Sequence, residues 1–232
     1  VLSIGPAGEN QVRYACLINE KYHAAARGGA GAVLGCKKVK PLVVAAQTLT
    51  LRLTPHFQQV AKRAATVIRA NKTCQTYSRF ASTTVSDYWS EIGCIPGHNY
   101  QYGTLPGWKE TRGKEAMQSY VTGPKGSCFG CPMPCFNKVE IRGGEYSGLT
   151  ISSGTFVQVV LDFGAKCGIQ SLPAIYKCKE VCHRLGMDYD SASGAIAFVM
   201  ELYQRGLLSA KDAGGLDLSW GNVDTVLTLL GQ

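Results

Sequence analysis

Three cysteines lie close together in the middle of the chain, and their spacing limits what this segment can be. Cys128, Cys131 and Cys135 form a C-x-x-C-x-x-x-C run, with Gly130 inside it and two prolines between the second and third cysteines. Thiolates at this spacing on one loop are typical ligands of an iron–sulfur cluster. Glycine lets the backbone approach inorganic sulfide, and proline keeps the segment out of a helix. The spacing therefore favours an iron–sulfur site.

Two other interpretations of the cysteines stay open. A zinc knuckle usually has a second pair of Cys or His ligands after a spacer, and the sequence shows no such pair. Disulfides suit small secreted scaffolds, whereas ten cysteines in 232 residues, most of them scattered, fit a reducing cytoplasm better. A four-iron cluster would also need a fourth thiolate from elsewhere.

Composition excludes several classes of protein. The chain is 45% hydrophobic and 17% charged, which indicates a globular fold, and no apolar run approaches the roughly 20 residues that cross a bilayer. The net charge is +8, but the basic residues form no stripe interleaved with aromatic residues and belong to no recognisable nucleic-acid-binding module. We therefore expect no nucleic acid and no membrane as partners. Positive charge instead suits anionic cofactors and partners. The chain begins within a strand-like pattern and ends within a helical one, which predicts a fragment of a longer protein.

Hydrophobic periodicity predicts an α+β fold that is mostly α. Strands are expected at 1–4 and 41–45, and a hairpin at 138–155 with Gly143-Gly144 at its turn. Helices are expected at 55–71, 172–185 and 191–205, with another starting near residue 222. Few elements are predicted between residues 72 and 127, which are rich in turns.

A second motif is the glycine-rich segment at residues 26–37. It contains Gly28, Gly29 and Gly31 between Arg27 and Lys37, a pattern that suits a backbone approaching a phosphate closely with two cations to balance it. It is neither a Walker loop nor a G-x-G-x-x-G fingerprint. A tightly packed helix or turn is an equally good interpretation.

Taken together, these motifs resemble a known family. The motif order resembles that of the tungsten-containing aldehyde ferredoxin oxidoreductases. The motifs are, in order, the loop at residues 4–10, the glycine-rich segment, the cysteine run, the stretch at 185–188 and Trp220-Gly221-Asn222. The resemblance covers essentially the whole chain. It implies that residues 1–46 are the C-terminal part of an N-terminal, β-rich tungstopterin-binding domain. Residues 47–232 would be a truncated, largely helical second domain that carries the iron–sulfur loop.

The resemblance also implies cofactors and an activity. Family members hold a tungsten or molybdenum ion between two pterins beside a [4Fe-4S] cluster, oxidise aldehydes to carboxylic acids and pass electrons to ferredoxin. We therefore expect an anaerobic, cytoplasmic enzyme, of which this fragment alone is inactive. A homo-oligomer or a larger complex is compatible with the family.

Site residues follow from the same resemblance. The cluster ligands would be Cys128, Cys131 and Cys135, with a fourth cysteine far downstream of this chain. The residues that match cofactor-binding positions are Gly5, Gly8, Glu9, Asn10, Arg27, Gly28, Gly29, Gly31, Lys37, His183, Gly186, Met187 and Asp188. The family's pterin motif reads D-x-x-G-L-D or D-x-x-G-L-C, so His183 replaces its first aspartate.

Two candidate catalytic positions depart from a simple aldehyde oxidase. Several family members have a glutamate a few residues before the glycine that corresponds to Gly164, and here the best candidate is Gln158, an amide that cannot act as a general base. Cys167 lies where the tungsten subunit of class II benzoyl-CoA reductases places a cysteine near the metal. It is an equally good candidate for a small buried core residue.

Two alternative functions follow from these departures. One is the tungsten subunit of a complex like benzoyl-CoA reductase, with an aromatic acyl substrate. The other is a non-catalytic electron-transfer or metal-stabilised module. Cys178 and Cys182, four residues apart, are expected in the core, and His23, His56 and His98 are expected to be surface or structural residues.

Overall fold

The N-terminal segment forms a small antiparallel sheet and two short helices. The structure is a computed structural model that describes residues 1–20, 23–45, 53–123 and 125–231. The sheet has the order β3-β2-β1-β4, with Leu2 of β1 opposite Asn19 of β2 and Leu42 of β4. The elements are β1 (Leu2–Ser3), α1 (Pro6–Glu9), β2 (Leu17–Asn19), β3 (His23–Ala25), α2 (Ala30–Cys36) and β4 (Pro41–Leu42). The strand expected at 41–45 is thus shorter, and the domain boundary proposed at residues 46 and 47 lies outside the described residues.

Helices α1 and α2 pack backbone to backbone through glycines. A Cβ on Gly35 would overlap the carbonyl oxygen of Gly8, and a Cβ on Gly31 would come within 2.6 Å of the Cys16 carbonyl oxygen. The glycine-rich segment is therefore largely a tightly packed helix. Gly28, by contrast, has a φ of +101° with nothing within 4 Å of its would-be Cβ, so its backbone faces open space.

Replacing Gly35 with alanine is expected to destabilise the fold because the added methyl would force α1 and α2 apart. Overpacking of this kind typically costs about 1–3 kcal/mol. The matched control is Gly194→Ala in a later helix, where nothing lies within 4 Å of the added Cβ and alanine should stabilise by up to ~1 kcal/mol. Urea unfolding followed by circular dichroism measures both, and equal midpoints in the two variants would contradict the proposed close packing.

Short helices fill the region for which the sequence predicted few elements. They are short, and from residue 86 onward glycines and prolines separate them, so no hydrophobic period runs long enough to show in the sequence. The longer helix α3 (Pro55–Ala70) precedes this region, which contains α4 (Lys72–Phe80), α5 (Ser86–Glu91), α6 (Gly97–Tyr100), α7 (Trp108–Arg112) and α8 (Lys114–Gln118), with a 3-10 turn at Ala81–Val85. Helix α3 starts as predicted, because the Thr54 side chain caps it and Pro55 occupies its first position.

The C-terminal part contains a hairpin and the longest buried helices. The hairpin pairs β5 (Val139–Glu140) with β6 (Thr150–Ile151), and Gly144 lies in its connection with a φ of +75°. The helical elements are α9 (Val157–Val159), a π-helix at Val160–Lys166, α10 (Leu172–Leu185), α11 (Tyr189–Gln204) and α12 (Val223–Gly231). The three long helices lie where the sequence predicted them, and the fold is α+β and mostly helical, as expected.

The core surrounds the π-helix. All seven of its residues are buried, and they pack among α9, α10, α11 and α6. Cys178 and Cys182 are fully buried core residues, as the sequence predicted. In the described ranges, no helix combines the length and the apolar character needed to cross a membrane.

Candidate functional site

The N-terminal segment docks against the turn between α10 and α11. The Cys16 amide donates to the Gly186 carbonyl at 2.8 Å, and the Asp188 amide donates to the Tyr14 carbonyl at 3.0 Å. A Cβ on Gly5 would overlap the Leu185 backbone, so this contact requires glycine. The loop at residues 4–10 and the stretch at 185–188, which are far apart in sequence, therefore lie together.

The three clustered cysteines occupy a loop closed at its base by backbone hydrogen bonds. Gly126 and Phe136 exchange two such bonds, each of 2.9 Å, and the Cys131 amide donates to the Cys128 carbonyl at 3.0 Å. Gly130 has a φ of +70° inside this turn, a backbone conformation that favours glycine. The loop thus presents all three thiols on one short segment.

The donor set of this loop fits an iron–sulfur cluster. All ten cysteines lie in the described part of the chain, and each is a free thiol. Burial raises the pKa of Cys135, and the neighbouring Cys128 and Cys131 raise it further. Within the described residues no three His, Cys, Asp or Glu side chains converge as single-ion ligands. A cubane needs no such convergence, because each thiolate binds a different iron.

His23 reaches the cysteine loop from strand β3. Its Nε2 lies 3.8 Å from Cys128 Sγ, and its ring meets the Phe136 ring edge-on at 4.9 Å. The sequence prediction of a surface or structural histidine missed this contact. Arg27 follows His23 four residues later in the chain. A chain of four residues spans at most about 14 Å, so the cysteine loop and the surroundings of Arg27 are near each other.

A cavity of about 400 Å³ lies beside the π-helix. Gln158, which precedes the π-helix in α9, projects an exposed amide toward it, and Lys166 and Asp190 line the same space. The remaining lining residues are Gly93, Cys94, Ile95, Pro96, Tyr100, Tyr102, Gly103 and Leu161. π-Helical turns often occur at functional sites because they shift side chains out of the regular helical register. The cavity therefore contains one of the two predicted catalytic residues.

A network of ion pairs forms one wall of this cavity. Lys166 Nζ lies 2.7 Å from Asp162 Oδ1 and also binds Asp190, which in turn pairs with Arg27. The Asp162 side chain is 0% exposed and that of Lys166 only 6%. Burial raises the pKa of Asp162 to about 6, although Lys166 opposes the shift. Arg27, from the glycine-rich segment, is thereby joined to the cavity.

Sequence reasoning missed Asp162, Lys166 and Asp190. Asp162 and Lys166 stand four residues apart, which would have suggested an ordinary surface pair on a helix. Their burial follows from the packing of the π-helix on all sides. Asp190 lies beyond the Gly186–Asp188 motif, and only the fold brings it to Lys166.

A left-handed turn also contributes to the lining of the cavity. His98, Asn99 and Tyr100 have φ values of 45°, 53° and 67°, so α6 is not a regular right-handed helix. Non-glycine residues in this region cost of order 1–3 kcal/mol each and persist only where the surroundings hold them. Here Asn99 Nδ2 donates to Glu201 at 2.6 Å, and the His98 ring stacks on Trp220 at 4.7 Å. The turn places Tyr100 at the cavity rim.

The residues that match the family's pterin motif lie next to the docked N-terminal segment. Burial, with a contribution from Lys179, lowers the pKa of His183 to about 4, so this side chain is neutral at pH 7. His183 lines a groove of about 720 Å³ between the sheet, the hairpin and α10. Gly186 ends α10 in a left-handed conformation, and Met187 is buried.

Asp188, the last residue of this motif, caps helix α11. It is 4% exposed, and its Oδ2 caps α11 by accepting from the Ser191 amide at 3.1 Å and the Ser191 hydroxyl at 2.6 Å. A role in holding a pterin remains a prediction for this carboxylate. The pterin-binding role of His183 likewise remains a prediction.

The other predicted residues are spread around these features. Cys167 is fully buried, its Sγ lies 3.6 Å from the Ser193 carbonyl, and burial raises the pKa of its thiol. A metal-proximal role for Cys167 therefore remains a prediction. Glu9 is exposed and pairs with Lys40 at 2.8 Å, while Asn10 and Lys37 are exposed at the ends of α1 and α2. Gly8 and Gly29 are buried in backbone packing.

Comparison with family models defines the class of protein. Residues 59–232 match the model described as aldehyde ferredoxin oxidoreductase, domains 2 and 3, and residues 1–46 match the N-terminal domain of the same family. The family that both models describe is one of oxidoreductases. The chain belongs to the aldehyde ferredoxin oxidoreductase family, as the resemblance of its motifs implied.

Individual relatives agree with this assignment. The chain is 30% identical to the tungsten-containing aldehyde ferredoxin oxidoreductase of Pyrococcus furiosus over 97% of its length, and 31% identical to that of Pyrococcus horikoshii over 93%. It is 28% identical to the aliphatic sulfonate oxidoreductase, WOR-like subunit, of Pyrococcus furiosus. The match covers 37%, 35% and 36% of these relatives, so the chain spans little more than a third of their length.

A solved structure has the same fold. The active site complex BamBC of benzoyl coenzyme A reductase, determined with 1,5-dienoyl-CoA, contains a chain that superposes with a TM-score of 0.72 at 21% identity. The match covers 99% of this chain and 36% of that one. The likeness confirms the α+β architecture.

Proposed function

We propose that this chain is part of a tungstopterin, iron–sulfur oxidoreductase that oxidises aldehydes to carboxylic acids and passes the electrons to ferredoxin. One observation carries the proposal. The segment from His23 to Arg27 bridges the two candidate centres, because His23 contacts Cys128 of the cysteine loop and Arg27 joins the ion-pair network of the cavity. A redox enzyme needs its reaction site and its electron relay this close together.

The residues present fit both cofactors. Cys128, Cys131 and Cys135 would supply three thiolates to a [4Fe-4S] cluster, and His23 Nε2 could donate a hydrogen bond to the Cys128 sulfur. The open backbone at Gly28 beside the exposed Arg27 suits the anionic part of a pterin, and His183 lines the separate groove beside the sheet. When bound, a tungsten or molybdenum bis-pterin supplies the two-electron chemistry.

The protein's own contribution lies in the cavity wall. Gln158 can orient a substrate oxygen through its amide, but it cannot accept a proton as a carboxylate would. Lys166 and Arg27 keep Asp162 and Asp190 charge-balanced, so the wall stays close to neutral. Tyr100 and Tyr102, both largely exposed, also line the cavity and offer ring faces and hydroxyl groups to a substrate.

Replacing Gln158 with glutamate should raise the activity on small aldehydes. The new carboxylate would supply a general base in the cavity, and such groups contribute typically 10²–10⁴-fold, so we expect kcat/KM for acetaldehyde to rise by about 10²-fold. The measurement is steady-state oxidation of acetaldehyde by the anaerobic holoprotein, with a viologen dye as acceptor. Gln170→Glu, an exposed position outside the cavity, is the matched control. Fast oxidation by the unmodified protein, unchanged in Gln158→Glu, would contradict this role.

A second candidate function is reduction of an aromatic acyl thioester within a larger complex. The observation that favours it is the amide of Gln158 at a position where an aldehyde oxidase needs a carboxylate. Assaying the same holoprotein with an aromatic acyl-CoA and a reduced viologen distinguishes the two reactions. A non-catalytic electron-transfer or metal-stabilised module would show neither activity, although it would keep its metal site.

A further inference from the structure

The positive charge of this chain is concentrated in one stretch. Between residues 21 and 86 there is no Asp or Glu, whereas eleven of the 24 Lys and Arg residues fall there. All 16 acidic residues lie outside it. The net charge of +8 is therefore a local property of this stretch, much of which folds into helices α3 and α4.

The cations of these two helices are exposed. Lys62, Arg63 and Arg69 lie on α3, and Lys72 and Arg79 lie on α4, all with exposed side chains. Arg79 pairs with Glu115 at 3.8 Å, whereas the other four make no ion pair with any residue in the described ranges. Such unneutralised charges attract an acidic partner and speed its association, an effect that salt weakens.

Helix α4 is attached directly to the cysteine loop. The Ser78 hydroxyl donates to the Pro134 carbonyl at 2.6 Å, Lys125 Nζ donates to the Ser78 carbonyl at 2.9 Å, and Asn137 Nδ2 donates to the Arg79 carbonyl at 3.1 Å. A groove of about 200 Å³ runs between the helices and the loop. Its lining includes Ile68, Arg69, Pro132 and Met133. The basic helices and the cysteine loop thus form one continuous surface.

Apolar side chains are interspersed with this charge. No residue of α3 is buried, and Phe57, Val60 and Val67 are 54%, 51% and 63% exposed. Phe129, at the tip of the cysteine loop, is 86% exposed. Exposed apolar groups with polar residues around them are typical of protein–protein contact sites.

We propose that α3, α4 and the tip of the cysteine loop form the docking surface for an acidic, ferredoxin-type iron–sulfur electron carrier. The carrier's carboxylates would face Lys62, Arg69 and Lys72, and its apolar patch would cover Phe129. Docking there places the carrier beside Cys128–Cys135, where electrons leave. The proposal rests on the proposed function, since it requires a cluster in the loop.

The test compares charge reversals on this surface with one elsewhere. Binding of an oxidised acidic [4Fe-4S] ferredoxin to the anaerobic holoprotein is measured by calorimetry at low salt. We expect Lys72→Glu to weaken binding about tenfold, within the range of electrostatic steering, and Lys62→Glu/Lys72→Glu to weaken it further. Lys211→Glu, an exposed lysine in the connection between α11 and α12, is the matched control and should bind as the unmodified protein does.

Three further readouts separate the possible failures. The docking surface is supported if all variants keep their cluster absorbance and viologen turnover, while ferredoxin reduction slows only in the Lys62 and Lys72 variants. Equal ferredoxin binding by Lys72→Glu and Lys211→Glu overturns it and leaves the proposed function intact. Absence of a cluster from the holoprotein overturns both.

Lysine acetylation identifies other occupants of the surface. Lys62 and Lys72 should react in the free holoprotein and become protected when ferredoxin binds. If they are protected without ferredoxin, another part of the protein or a second copy covers the surface, and the docking proposal is wrong. Competition by single-stranded RNA that is tighter than ferredoxin binding would also overturn it.

Discussion

Replacing Cys131 with alanine is expected to abolish the iron–sulfur cluster. Cys131 is the middle of the three thiols, and its amide hydrogen bond to the Cys128 carbonyl forms the turn that orients the loop. Removing one thiolate leaves an iron without its protein ligand, so we expect the cluster to be lost. The anaerobically prepared holoprotein should therefore lose its brown absorbance and its iron.

The control for this experiment is another cysteine near the same loop. Cys74 lies on α4, lines the groove beside the loop and has no predicted ligand role, so Cys74→Ala should keep the full absorbance. A Cys131→Ala protein that retains its absorbance, or an unmodified protein that contains one zinc per chain instead of iron, would show that the loop is not a cluster site.

Replacing Lys166 with methionine is expected to destabilise the protein strongly. Asp162 is fully buried, and Lys166 is the ammonium group that pairs with it at 2.7 Å. Breaking a buried pair by removing one partner typically costs about 3–5 kcal/mol, because the remaining charge is left uncompensated. Urea unfolding at pH 8 measures the loss. Lys177→Met, which removes a partly exposed pair with Glu180, should cost about 1 kcal/mol or less.

A double replacement and a change of pH test the physical cause. Asp162→Asn/Lys166→Met removes both charges and should recover most of the lost stability. Burial already raises the pKa of Asp162 to about 6 in the presence of Lys166, and without it the pKa rises further. A carboxyl group whose folded pKa exceeds its unfolded value loses stability as pH rises between the two. The Lys166→Met defect should therefore shrink as pH falls from 8 toward 5, and a pH-independent defect would contradict this explanation.

Long elements and motif order could be read from the sequence because they depend on local patterns. Helices α10, α11 and α12 follow a clear 3.6-residue period, and Ser171 and Gly186 mark the two ends of α10. The cysteine loop was likewise recognisable from spacing alone. These features need no knowledge of which segments meet in space.

The cavity could not be predicted, because its parts meet only in the folded chain. Asp190 and Lys166 come from different helices, and the left-handed turn at 98–100 depends on Asn99 binding Glu201 across the fold. The different roles of the glycines could not be predicted from the sequence either. Gly35 permits α2 to pack on α1, Gly31 permits α2 to approach the Cys16 backbone, and Gly28 is open. No local pattern separates these uses.

The most direct test of the central claim is a metal and pterin analysis of the holoprotein that contains this chain, purified without oxygen. The proposed function predicts about four irons and one tungsten or molybdenum per protein, with two pterins released on denaturation. Electron paramagnetic resonance after dithionite reduction should show a reduced [4Fe-4S] cluster, which the Cys131→Ala protein should lack. One zinc per chain, with neither pterin nor iron, would contradict the proposed function.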